Sequence, residues 1–129
     1  EIQIQPGTGA TATIAAGLTG PARILGGTAR FTTGSVTGNA LTVSSGAVLD
    51  FDTAARSLSP SGFAHAGATA ETRLRLGGTG AGQLNRIAAS GAFTASGVLT
   101  VSLEPGFAPT RGQSFICWIS LHSPAASPL

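Results

Sequence analysis

The chain has no lysine, tyrosine or methionine, a single cysteine and a single tryptophan, and only 9% of its 129 residues are charged. Each shortage excludes something. Without lysine there is no Walker A phosphate loop and no Schiff-base nucleophile. Cys117 alone cannot close an internal disulfide, and its place inside the apolar run Phe115–Ile119 points to a buried thiol. That run is the longest of its kind and far too short to span a bilayer, so no membrane insertion by this segment is expected. Aromatic residues make up 5%, which leaves little for stacking sugar rings. Seven arginines stand against five acids, a net charge of +2, and they are scattered singly. Nucleic-acid binders concentrate such charge on one face, so none is expected as a partner.

What is present is glycine, alanine, serine and threonine in short alternating runs. Sparse charge argues against ordinary disorder. With few long polar side chains, the backbone must satisfy itself in ladders. The length suits one domain with a real core. A first residue of Glu1 suggests a processed N-terminus, for which a removed export signal is one route.

Helical periodicity is missing, whereas period-two alternation recurs between Gly, Pro, Ser and Asn breaks. Ile2 and Ile4 share a face in "EIQIQ"; Leu41 and Val43 do so in "LTVS"; Ala47, Leu49 and Phe51 do so in "AVLDFD". In "ETRLRLGG", Leu74 and Leu76 point inward while Glu71, Arg73 and Arg75 take the wet side. In "VLTVSLE", Leu99, Val101 and Leu103 are expected in the core. "QSFICWIS" is apolar on both faces, with Phe115, Cys117 and Ile119 opposite Ile116 and Trp118. Such a strand is covered on both sides or awaits a partner, and it is the candidate assembly strand. The tail 122–129, with two prolines, reads as a linker or frayed end.

Two four-residue words occur twice. "LGGT" starts at Leu25 and Leu76, and "LTVS" starts at Leu41 and Leu99, sixteen and twenty-three residues later respectively. Two internal repeats, about 25–51 and 76–107, are therefore expected within an all-β domain of residues 1–121.

The stretch from Leu74 to Phe115 resembles bacterial autotransporter-associated β-strand repeat proteins and related large secreted surface proteins. Leu74, Leu76, Gly77 and Gly78 match the opening of that pattern, and Gly97, Leu99, Val101 and Leu103 match its strand. Gly106, Phe107, Pro109, Gly112 and Phe115 match its close; Leu84-Asn85 departs from the family's Tyr-Asp. The resemblance implies an exported, surface-exposed β-solenoid unit without catalytic residues. Independently, Gly106, Pro109 and Gly112 suit turns, with Phe107 and Phe115 capping the core.

Candidate chemistry is thin. "GTGATA" at Gly7–Ala12 fits a dinucleotide fingerprint, but Gly17, Gly20 and Pro21 break the helix it needs. Asp50 and Asp52 project from one strand face about 7 Å apart; with no further acid near, a solvated face neutralised by Arg56 is expected. His65 falls in the glycine-rich segment "SPSGFAHAGATAE", where exposure is expected, and His122 lies in the tail. No G-x-S-x-G elbow supports a catalytic serine. No catalytic, cofactor-binding or metal-ligating residues are therefore expected.

The expected fold is all-β, a β-solenoid or stacked short-strand sandwich, with a jelly roll as the alternative. The expected role is a non-enzymatic extracellular or cell-surface structural module. It would associate with itself, or with neighbouring repeats, through strand edges into a fibre or layer; adhesion to surface glycans is the alternative.

Overall fold

The computed structural model describes residues 1–15, 17–32, 39–80, 82–120 and 126–128; for 116–120 and 126–128 the description is that of the backbone. Every described element is a strand. In chain order they are β1 (Ile2–Ile4), β2 (Thr11–Ile14), β3 (Ala22–Ile24), β4 (Gly27–Phe31), β5 (Ala40–Val43), β6 (Ala47–Phe51) and β7 (Ser57–Leu58). There follow β8 (Gly62–His65), β9 (Glu71–Leu76), β10 (Arg86–Ala89), β11 (Phe93–Thr94), β12 (Val98–Leu103), β13 (Ile116–Ser120) and β14 (Ala126–Pro128).

These strands form three sheets. The first is ordered β1-β3-β5-β8-β11, the second β2-β4-β6-β9-β12, and the third β7-β10-β13-β14. Neighbours run parallel throughout, except that β14 lies antiparallel on β13. The chain visits the sheets in a fixed order. At first each circuit takes one strand of the first sheet and one of the second; from β7 onward it also takes one of the third. The spacing between stacked partners grows accordingly, from 17 residues between Thr11 and Thr28 to 27 between Glu71 and Val98.

Register places side chains in columns. In the first sheet Ile4, Ile24, Val43 and His65 stack in succession, beside Ala22, Leu41, Phe63 and Phe93. In the second, Ala12, Ala29, Leu49, Thr72 and Leu99 form one column, and Ile14, Phe31 and Phe51 begin another. Of the inward-facing residues, Ile24, Phe31, Val43, Leu49, Phe51, Leu58 and Leu74 have no exposed surface at all. Successive strands also bring rings together within a column: Phe63 and Phe93 lie 5.1 Å apart between centroids, and Phe31 and Phe51 6.3 Å. Such pairs contribute about 1 kcal/mol each beyond simple burial.

The alternation seen in the sequence is thus the inward–outward alternation of parallel strands, with one correction. Val101 and Leu103 are 41% and 50% exposed and Leu99 is half-buried, although their partners Leu74, Leu76 and Thr72 are buried. They face the core, but among the described residues no strand lies beyond β12 to cover them. The recurring words do not occupy equivalent places. The first LTVS is β5 of the first sheet and the second lies in β12 of the second sheet; one LGGT leads into β4 and the other ends β9. Within the expected tail, Ala126–Pro128 is a strand paired with β13; His122 lies outside the described residues.

Candidate functional site

Two column positions break the aliphatic pattern, and they break it on the same circuit. His65 ends the isoleucine–valine column of the first sheet, and Thr72 follows Leu49 in the second. Their side chains meet across the core, with His65 Nε2 2.7 Å from Thr72 Oγ1. On its other side, His65 Nδ1 accepts the Gly97 N–H at 3.0 Å. That bond fixes the tautomer: Nδ1 carries the lone pair, so Nε2–H donates to the threonine hydroxyl. His65 is 6% exposed, and burial holds its pKa below the ordinary value.

The exposed histidine expected from the glycine-rich segment is therefore corrected. Phe63 and His65 alternate inward on β8, and the small residues around them belong to the turns on either side. Sequence reasoning missed the pairing with Thr72 because it spans two sheets.

Gly97 is the third member of this cluster. A Cβ there would collide with the Ala70 carbonyl oxygen and lie 2.9 Å from His65 Nδ1, so only glycine allows the chain to pass. Directly after it β12 starts, with the Val98 N–H bonded to the Ala70 oxygen at 2.7 Å and the Ser96 hydroxyl to the His65 carbonyl at 3.0 Å. The cluster thus anchors the final strand of the second sheet. Beside it is a cavity of about 80 Å³, walled by Phe63, Ile87, Phe93 and Leu99 together with His65 and Thr72. Ligand pockets for small organic molecules usually exceed about 300 Å³. The cavity lies beside the last described strands of both main sheets, with Phe93 of β11 and Leu99 of β12 in its wall.

The acids are each already engaged. Asp50 is 3% exposed and accepts Arg30 Nε at 2.9 Å from the neighbouring strand. Asp52 sits past the end of β6 and holds Arg56 through two bonds of 2.8 and 3.1 Å. The hydrogen bonds from Arg56 keep the Asp52 carboxyl below the usual carboxylate range. The solvated face expected for the two aspartates is corrected on this point: Asp50 is buried, the two take separate arginines, and the Arg56 side chain bonds Asp52. Glu71 is likewise held low, first by Arg73 at 2.8 Å and then by the Thr100 hydroxyl. Among the described residues no group of three or more His, Cys, Asp or Glu converges as a metal site would require.

No family model, curated protein or solved structure matches this chain.

The remaining expected residues fall into place as backbone devices. "GTGATA" is a turn, closed by the Ala10 N–H on the Gly7 oxygen and leading straight into β2 rather than a helix. The Gly77 N–H is bonded to the Gln83 oxygen, and the side chain of Gln83 crowds Gly78. Gly106 and Gly112 have φ of +84° and +88°, as their turns require, and Pro109 is exposed between them. Phe107 and the buried Phe115 pack edge to face at 5.9 Å. Of the candidate assembly strand, Ile116, Cys117, Trp118 and Ile119 form most of β13, whose backbone is paired with β10 on one side and β14 on the other. That backbone therefore presents no free template. Among the described edge strands, β12 carries the uncovered inward face.

Asn85, at the point where the sequence departs from the family pattern, is fully buried. Its Oδ1 accepts the Arg75 N–H at 2.7 Å, and its Nδ2 donates to the oxygens of Thr53 and Arg56 at 2.8 and 3.1 Å. It fastens the corner from which the chain leaves the second sheet for the third. Nothing in "QLNRI" marks that role, because the partners lie in two other segments.

Proposed function

We propose that this chain is a non-enzymatic structural module of an exported bacterial surface protein. It is built as a β-solenoid and associates through strand edges into a fibre or layer. Parallel strands visited in a fixed order favour a solenoid over a jelly roll, whose strands run antiparallel. Stacked circuits with aliphatic and aromatic columns give a stiff rod whose stability adds up circuit by circuit. The resemblance of Leu74–Phe115 to autotransporter-associated repeats supplies the cell-surface location. Engagement of Asp50 and Asp52 by separate arginines, and of both His65 nitrogens in the core, favours structure over catalysis.

One observation carries the associative part: β12 continues the core columns, yet Val101 and Leu103 are 41% and 50% exposed. The chain lacks the lysines that blunt such edges, and β12 contains no proline. Sedimentation over a wide concentration range, paired with negative-stain microscopy, tests it. Concentration-dependent assembly into rods or sheets is the expected result; a monomer at every concentration, without filaments, overturns it.

A further inference from the structure

Resting on that reading, we infer that the occupant of the open β12 edge is the β2 edge of a second copy, added head to tail as the next parallel strand. Among the described residues both main sheets contain five strands, so they advance by the same number of steps. At one end the sheets terminate in β1 and β2, at the other in β11 and β12. The third sheet starts only at β7 and is finished by the antiparallel β14. Each end thus offers the same pair of parallel sheets for stacking. The strand missing at one end of the second sheet is of the kind present at the other.

Register makes the contact specific. Thr11, Thr28, Val48, Glu71 and Val98 occupy one column, so continuation of the sheet sets Val98 against Thr11 of the next copy. Leu99 then meets Ala12, Thr100 meets Thr13, and Val101 meets Ile14. Ala12 and Ile14 are half-buried and already packed on their own core, so the contact continues an interface repeated four times within the sheet. The outward positions Thr100 and Thr13 are exposed and uncharged. With a net charge of +2, copies repel one another only weakly. The operation that seats one copy on the next is a heterologous one that does not close, and it yields filaments rather than dimers.

The test is a disulfide between copies. Adjacent strands lie about 4.8 Å apart, within the Cα separation a disulfide bridges. Full-length Thr100→Cys and Thr13→Cys proteins are mixed under mild oxidation and digested at arginine. The expected product joins the peptide ending at Arg23 to the peptide ending at Arg111, separate from any product of native Cys117. Its yield should exceed either self-linked product at least tenfold, and Leu103→Lys should remove it. Filaments that lack this link overturn the head-to-tail register while leaving the structural-module reading intact. A dominant Thr100→Cys self-link overturns it in favour of a two-fold dimer. Absence of any assembly overturns both readings.

Discussion

Replacing Asn85 with alanine deletes three hydrogen bonds inside the protein and leaves their backbone partners behind. The Arg75 N–H and the Thr53 and Arg56 oxygens all lose a partner that has no exposed surface, but Thr53 itself is exposed and Arg56 half-buried, so the Arg75 N–H is the group left most poorly served. An orphaned buried backbone group costs about 1–3 kcal/mol. Allowing the Thr53 and Arg56 oxygens to find water, the substitution should cost about 2 kcal/mol. For a domain held by about 5–15 kcal/mol that is a large share. Asn85→Asp separates this hydrogen-bonding cost from simple loss of volume. It keeps an acceptor for Arg75 but turns both donors into an anionic oxygen facing two carbonyls. At neutral pH it should be at least as destabilising as alanine. Its folded-state pKa is raised by those carbonyls, so its stability should recover as pH falls toward the carboxylate range. Urea unfolding followed by far-UV circular dichroism, at neutral pH and at pH 4.5, gives both numbers. If Asn85→Asp matches the parent protein at neutral pH, the corner is not held as described.

The remaining expectations concern the terminal circuit. Burial lowers the pKa of His65; the unfolded chain therefore takes up a proton first as pH falls past about 6.5. Stability should drop from there toward the lower folded value, with a slope of at most about 1.4 kcal/mol per pH unit. His65→Gln should remove that slope in pH-resolved urea melts, and a slope that survives would assign it to other groups. Gly97→Ala should destabilise by more than about 2 kcal/mol and speed amide exchange through Val98–Leu103, because its Cβ meets the Ala70 oxygen. Gly82→Ala, at φ +78° with open space around it, should cost only about 1 kcal/mol. Equal losses at the two glycines would discount the close approach. Val101→Lys should abolish assembly in sedimentation yet change monomer stability by less than about 1 kcal/mol, since the side chain is already 41% exposed. Unfolding of that variant would show the face to be buried.

Much of the fold is legible in the sequence, and its limits are physical. Alternation at Ile2–Ile4, Leu41–Val43, Ala47–Phe51 and Leu74–Leu76 gives both the strand and its inward face, since side chains on a strand take turns. Alternation tells which way Val101 and Leu103 point, but burial also needs a neighbouring strand, and that is a property of the stack. Repeated words mislead for a related reason. A strand such as LTVS fits any parallel sheet, so it recurs in different sheets, while the true spacing of partners drifts from circuit to circuit as the third sheet is added. His65 and Asn85 were hidden because their partners lie in other segments. A polar residue in an apolar column announces itself only when the column is known. The double aspartate pattern pointed to a shared solvated face, but Asp50 is buried against Arg30 while Asp52 pairs with Arg56.

Fibre diffraction from the assembled protein tests the stacking most directly. Five strands per copy, about 4.8 Å apart, should give an axial repeat near 24 Å together with a 4.8 Å meridional reflection. Filaments with strands along the fibre axis, or with an axial repeat that is not close to five strand spacings, would contradict it.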